Sequence, residues 1–182
     1  MEKILFLDTE TGGLDCKKHS LLTVGMIAVL YKNKSFEILE EFHVGVKYEK
    51  YNIEKEALEV NNINIAEHEK TAFSKDDVKK AIKDFVFKHK LSECLLVGHN
   101  PEFDIGFMKE LFSEKEYPFY RHYIDTKQIW CYLKFREKVP PGLYNHLKDI
   151  SEYFEIDYSN AHNALTDCKI TLEVFKRLVN LE

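Results

Sequence analysis

Ile4-Leu5-Phe6-Leu7-Asp8-Thr9-Glu10 is the stretch from which the rest of the chain is read. Four consecutive apolar residues make a short run suited to a buried strand. Two carboxylates close it. Alternate residues of a strand share a face, so Asp8 and Glu10 point the same way, with Cα atoms about 7 Å apart. They follow the apolar run directly and so lie near the interior. Like charges in such a place repel strongly unless a proton or a cation intervenes. An isolated Asp-x-Glu also reads as a solvated strand end, so the pair points to chemistry only in company.

Outward from this strand, Leu22–Tyr31 is apolar and rich in β-formers, and reads as a second strand. Asn33-Lys34 is a turn, and Phe36, Ile38, Phe42 and Val44 continue as a third strand. Tight links between the three predict an antiparallel meander. Residues 45–73 are polar, with one short candidate helix at Glu54–Val60. Ser74, with Asp77 three residues on, opens a helix whose apolar positions are Val78, Ala81, Ile82, Phe85, Val86 and His89. Cys94–Val97 is a fourth strand. Asn100-Pro101 reads as an N-cap followed by proline at the first helical position. Tyr120–Ile124 is a fifth strand, and Asp125 caps the helix after it. Pro140-Pro141-Gly142 breaks the chain before Leu143, Leu147, Ile150 and Phe154 resume a helical spacing. Leu165, Cys168, Leu172, Phe175 and Val179 form the apolar stripe of the last helix. The expected fold class is α/β: a mixed five-stranded sheet, a three-stranded antiparallel meander plus two parallel strands, flanked by α-helices.

Composition sets the frame. The chain has 182 residues, 45% hydrophobic and 13% aromatic, enough for one cored domain expected to span residues 1–182. That excludes a disordered tail, a collagenous chain and a disulfide-stapled mini-protein. Cys16, Cys94, Cys131 and Cys168 form no C-x-x-C pair and read as reduced, mostly buried thiols of a cytoplasmic protein. No stretch reaches the ~18 apolar residues of a membrane span, so no membrane partner is expected. Lys and Arg number 26 against 31 Asp and Glu, a net charge of −5. Taken alone, this argues against holding nucleic acid by bulk positive charge.

Two further pieces join Asp8 and Glu10. Asp104 lies in the first turn of the helix after the fourth strand, which delivers it to the sheet edge where the first strand ends. His162 and Asp167 are five residues apart, about 140° on a helix, so they cannot share a helical face. His162 is therefore placed on the loop before the last helix. Asp167 borders its apolar stripe and faces the sheet. Each residue has an ordinary structural reading by itself. Together, four carboxylates at converging element ends lack the cations to neutralise them, which calls for metal ions. The ligands are hard oxygens, favouring Mg²⁺ or Mn²⁺ over structural zinc.

Phe6-Leu7-Asp8-Thr9-Glu10-Thr11-Gly12-Gly13-Leu14 resembles the first exonuclease motif of the DEDD superfamily, and Val97-Gly98-His99-Asn100-Pro101-Glu102-Phe103-Asp104 the second. His162-Asn163-Ala164-Leu165-Thr166-Asp167 is similar to the H-x-A-x-x-D third motif of its histidine branch. That branch is the DEDDh or DnaQ-like family, which includes the epsilon proofreading subunits of bacterial DNA polymerase III. The tyrosine branch would place Tyr at position 163, where Asn163 stands. The resemblance covers Ile4 to about Leu178.

It implies an RNase H-like fold and a 3′→5′ exonuclease using two divalent ions, Mg²⁺ or Mn²⁺. Asp8, Glu10, Asp104 and Asp167 match the metal-site carboxylates and His162 the general base. The product implied is a nucleoside 5′-monophosphate. Thr11, Gly12, Leu14 and Phe103 match substrate contacts, with Leu14 as a base wedge. The family's Val-His-Gly-Ile-like substrate segment reads Val60-Asn61-Asn62-Ile63 here, a departure. The expected substrate is a single-stranded nucleic-acid 3′ end, DNA favoured and RNA as the alternative, with a DNA polymerase as a candidate partner in proofreading. An RNA-trimming enzyme like RNase T or oligoribonuclease is the second reading. A non-catalytic module binding nucleic-acid ends or a polymerase is the third, and intact motifs argue against it. Four carboxylates assigned to ions leave a remaining charge of −1, which predicts short substrates gripped at their ends. Lys127, Lys134, Arg136 and Lys138 are the expected local help.

Overall fold

In the computed structural model, residues 2–181 are described. Five strands form one sheet in the order β3-β2-β1-β4-β5. They are β1 (Glu2–Thr11), β2 (Leu21–Lys32), β3 (Ser35–Gly45), β4 (Leu95–Gly98) and β5 (Tyr123–Asp125). The meander is as expected: β1 pairs antiparallel with β2, and β2 with β3. Asn33 and Lys34 make the β2–β3 turn with φ of 52° and 64°, the left-handed pair that matches hairpin twist. Strands β4 and β5 run parallel to β1. The carboxyl ends of β1, β4 and β5 therefore lie along one sheet edge, and the loop or helix after each strand starts there.

Helices cover both faces. They are α1 (Lys55–Asn61), α2 (Ile65–Thr71), α3 (Lys75–His89), α4 (Glu102–Leu111), α5 (Thr126–Phe135), α6 (Leu147–Tyr153) and α7 (Ala164–Leu178). The alternation of β1 sorts its side chains. Leu5 and Leu7 pack with Val78, Ile82, Ile105 and Met108 of α3 and α4. Ile4 and Phe6 pack on the other face with Cys168, Leu172 and Phe175 of α7. Covered on both sides, β2 is buried from Leu21 to Val29, which is why it reads as a continuous apolar run. Beyond α7, Trp130, Leu133, Ile150 and Val174 knit α5 and α6 onto it.

One glycine sets how closely α7 approaches. Gly25 pairs with Asp8 across the β1–β2 ladder. A Cβ there would lie 2.3 Å from the Ala164 carbonyl carbon and 2.5 Å from the Leu165 nitrogen. The first turn of α7 rests on bare backbone opposite the first carboxylate.

Local readings differ at several points. Ser74 caps α3, accepting from the Asp77 nitrogen, and Asp125 caps α5 by accepting from Lys127. Asn100, however, is not the cap of α4. It adopts φ 63°, its backbone nitrogen donates to Asp125 Oδ1, and Pro101 is the flanking residue. The fifth strand is confined to Tyr123–Asp125, and α6 begins at Leu147 rather than Leu143. All four cysteines are free, but only Cys168 is buried; Cys16 and Cys94 are half-buried and Cys131 is exposed. No helix among the described residues is long and apolar enough to cross a membrane.

Candidate active site

At the sheet edge, β1 delivers Asp8 and Glu10 on the face that α7 covers, and α7 delivers Asp167 in its first turn. Each of the three offers a carboxylate oxygen, and these atoms lie within 4.8 Å of one another. The one-residue register shift between Glu10 and Thr11 ends regular β1–β2 pairing just past the second carboxylate, a bulge of the kind that re-aims side chains. Asp104 arrives from α4 on the opposite face and is buried. Its Oδ1 accepts a 2.6 Å hydrogen bond from the Thr9 hydroxyl. It stands outside the tight triad but close enough to act on it electrostatically.

That coupling is visible in the acidities. Loss of hydration is the largest cause for all four. Asp8 is held well above the usual carboxylate range by burial and then by the charges of Asp104, Asp167 and Glu10. Glu10 is pushed up to about 8 by burial, Asp167 and Asp104. Burial raises Asp104 to about 7, although the Thr9 hydrogen bond pulls it down. Burial raises Asp167 to about 6 against the lowering effect of the His162 backbone N–H. Among the described residues, no Lys or Arg forms an ion pair with any of the four. An uncompensated cluster of desolvated oxygens is the donor set a hard divalent cation requires. Asp8, Glu10 and Asp167 could ligate an ion directly, and Asp104, coupled to Asp8 and Glu10 through its charge, could add a fourth carboxylate.

His162 sits on the loop before α7, exposed, with φ 70°. Its backbone nitrogen donates to the Asp167 carboxylate, at 3.2 Å to Oδ2. The left-handed turn thus ties the histidine to the Asp167 carboxylate while leaving its side chain exposed. Tyr158 meets that ring edge-on, with centroids 6.1 Å apart. Burial, followed by the charges of Asp167, Asp8 and Glu10, pushes the Tyr158 phenol up to about 12. Sequence reasoning missed Tyr158: it precedes His162 by four residues in an irregular loop, and no spacing marks it.

Beside the carboxylates lies a cleft of about 330 Å³, lined by Glu10, Thr11, Gly13, Leu14, Val60, Asn61 and Phe103 among others. Leu14 is 83% exposed and projects from the turn after β1. Phe103 does two things, lining the cleft and packing on Phe107 with centroids 5.1 Å apart. Thr11 is buried, and its hydroxyl donates to the Gly13 carbonyl. Gly12 is behind the cleft wall: its nitrogen donates to Ser20 O and its carbonyl accepts from Glu54 N. A Cβ on Gly12 would meet Asn52 O at 2.6 Å. The departed segment has a structural job. Asn61 is buried, donates from Nδ2 to Thr11 O and accepts from Ile63 N, so it bolts the end of α1 to the turn.

The basic residues expected to help do not line this cleft. Lys134 donates to Leu143 O and Arg136 to the Tyr132 hydroxyl. Neither these, Lys127 nor Lys138 lines the cleft. Helix α5 leaves the carboxylate edge after its first turn, so only its start is near the site.

The chain matches the exonuclease family RNase T over residues 5–175. It is 27% identical over 177 residues to the PolC-type DNA polymerase III of Clostridium perfringens, covering 96% of this chain but only 11% of that protein. It is 27% identical over 186 residues to ribonuclease T of Shewanella denitrificans, covering 96% of this chain and 79% of the relative. To the DNA polymerase III epsilon subunit of Aquifex aeolicus it is 26% identical over 174 residues, 95% of this chain and 78% of that one. Exonuclease I of E. coli, solved with a dT13 oligonucleotide, superposes with a TM-score of 0.81 at 18% identity. That match covers 98% of this chain and 41% of exonuclease I, and it shows the shared RNase H-like fold.

Proposed function

The chain belongs to this exonuclease family, and on that premise we propose that it is a metal-dependent 3′→5′ exonuclease acting on single-stranded ends. The product is a nucleoside 5′-monophosphate. The observation that carries the reading is the set Asp8, Glu10, Asp104 and Asp167, desolvated, mutually repelling and, among the described residues, without a Lys or Arg partner. Such a cluster is costly unless it is used to hold cations.

The residues divide the work. Asp8, Glu10 and Asp167 would hold the ions, with Asp104 completing the set from α4. Bound there, two divalent ions would supply Lewis-acid polarisation of the scissile phosphate, activation of the attacking water and stabilisation of the leaving 3′-oxygen. The His162 imidazole stands at the mouth and takes the proton of the attacking water at a ring nitrogen. Tyr158 limits where that ring can swing. Thr11 and Leu14 border the cleft that receives the terminal nucleotide, with Leu14 against its base and Phe103 forming the opposite wall.

DNA is the substrate we favour, with proofreading beside a DNA polymerase as the setting; the relatives in DNA polymerase III support it. An RNA-trimming role is the second reading, supported by the ribonuclease T relative along 96% of this chain. A matched pair of DNA and RNA oligonucleotides of one sequence, degraded in the same Mg²⁺ titration, decides between them. Faster shortening of DNA supports the first reading and faster shortening of RNA the second. Failure to shorten either in Mg²⁺ or Mn²⁺ removes both.

A further inference from the structure

A second cleft, of about 280 Å³, lies on the far side of the turn that carries Leu14. Lys17, Lys18, Lys50 and Lys75 line it, against a single acidic side chain, Glu110. Lys18 is paired with Asp15 at 3.1 Å. Lys17 and Lys50 are exposed, and Lys75 lies over the Tyr48 ring at 4.3 Å. None of these three is in an ion pair among the described residues. In a protein of net charge −5, this concentrates positive charge in one place beside a site built for phosphate chemistry.

Helix α4 measures the distance between the two clefts. Phe103 lines the first, whereas Phe107 and Leu111, one and two turns further on, line the second. At 1.5 Å of rise per residue the separation is about 6–12 Å. Successive phosphates of a strand are six backbone bonds apart, further than the rise of a stacked helix, so that span is about one to two nucleotides.

Resting on the nuclease reading above, we infer that the Lys17/Lys50/Lys75 cleft binds nucleic-acid phosphates one or two nucleotides beyond the one being removed. The ligand chemistry is a phosphodiester backbone. It comes either from the strand being degraded or from a strand paired to it and parted by Leu14. The site explains how an acidic protein grips its substrate without the α5 lysines.

The test is Lys17→Gln/Lys50→Gln/Lys75→Gln against wild type, with folding checked by thermal melting. Because Lys75 packs on Tyr48, Lys17→Gln/Lys50→Gln serves if the triple variant does not fold. Kinetics in Mg²⁺ compare a single-stranded dinucleotide, a single-stranded dodecamer and a duplex with a recessed 3′ end. Binding of a fluorescein-labelled dodecamer in EDTA is followed by anisotropy across a salt series. The expected result is a several-fold rise in KM for the longer substrates, shrinking the preference for them over the dinucleotide. The salt slope of binding falls by about 0.7 for each phosphate no longer neutralised, about 2 in all. An effect on the single-stranded dodecamer assigns the phosphates to the degraded strand, and an effect confined to the duplex assigns them to its partner. An unchanged length preference with an unchanged salt slope overturns the inference. If wild type cleaves nothing yet the variant binds the dodecamer more weakly, the nuclease reading falls and the phosphate site stands.

Discussion

The Thr9 hydroxyl donates to Oδ1 of Asp104 at 2.6 Å, joining the central strand to α4 from the face opposite Asp8 and Glu10. This bond favours the ionised form of Asp104 against the burial that raises it. Thr9→Val keeps the shape and removes the donor. A hydrogen bond to a charged group is worth about 1.5–3 kcal/mol. The Mg²⁺ concentration for half-maximal activity is therefore expected to rise at least tenfold, with Thr9→Ser close to wild type. A metal titration of the rate checks it; an unchanged midpoint in Thr9→Val would remove Thr9 from the site.

Gly25 supports the site from behind. A methyl group there has no space beside the Ala164 backbone, and relief requires moving the turn that carries Asp167. Gly25→Ala is expected to cost about 1–3 kcal/mol in urea unfolding and to depress activity more than stability. Full activity in a destabilised Gly25→Ala would show that the α7 contact serves packing alone.

The acid–base behaviour has a definite sign. Glu10, Asp104 and Asp167 have folded-state values of about 8, 7 and 6, all raised above their ordinary values. Without metal, the folded protein binds more protons than the unfolded chain between about pH 4 and 8. Its stability therefore falls as pH rises through that window. Half-buried His99, lowered to about 4 by its loss of hydration, works the other way, and its contribution is lost as pH falls from 6.5 towards 4. The difference in melting temperature between Mg²⁺ and EDTA isolates the carboxylates. That difference should be larger at pH 8 than at pH 5.5; an equal or reversed difference contradicts the assignment.

Asn61 is one of the two residues, with Asn62, at which this chain departs from the family's segment, and its amide holds the Thr11 carbonyl. Asn61→Ala leaves a buried acceptor unpaired, a cost of about 1–3 kcal/mol. The turn bearing Leu14 is expected to loosen, raising KM more than it lowers kcat. Steady-state kinetics on an oligonucleotide distinguish this from a fall in kcat at constant KM, which would place Asn61 in the chemistry instead.

The parts legible in the sequence are those written in short-range physics. A run of apolar residues ending in Asp8 and Glu10, a meander with a turn at Asn33-Lys34, and a stripe through Cys168 and Leu172 all declare themselves by short-range pattern. Helix α2 does not, because His68 is its one buried residue and it has no apolar stripe; Asn64, accepting from Ala66 and Glu67, is its only mark. Asn100-Pro101 misleads because local cap chemistry yields to a tertiary bond, the Asn100 nitrogen donating to Asp125. The convergence of Asp104 with the β1 carboxylates comes from strand direction. The Thr9 bond, the Tyr158–His162 contact and the Asn61 bolt join residues through folding alone and leave no spacing to read.

The central claim is that Asp8, Glu10, Asp104 and Asp167 hold cations for the removal of 3′-terminal nucleotides. The direct measurement is release of label from a 3′-labelled single-stranded oligonucleotide, with Mg²⁺ or EDTA, by wild type and Asp8→Ala. The account predicts labelled mononucleotide from the earliest time point with wild type and Mg²⁺ only. No mononucleotide from wild type in Mg²⁺ or Mn²⁺, or undiminished release by Asp8→Ala, would contradict it.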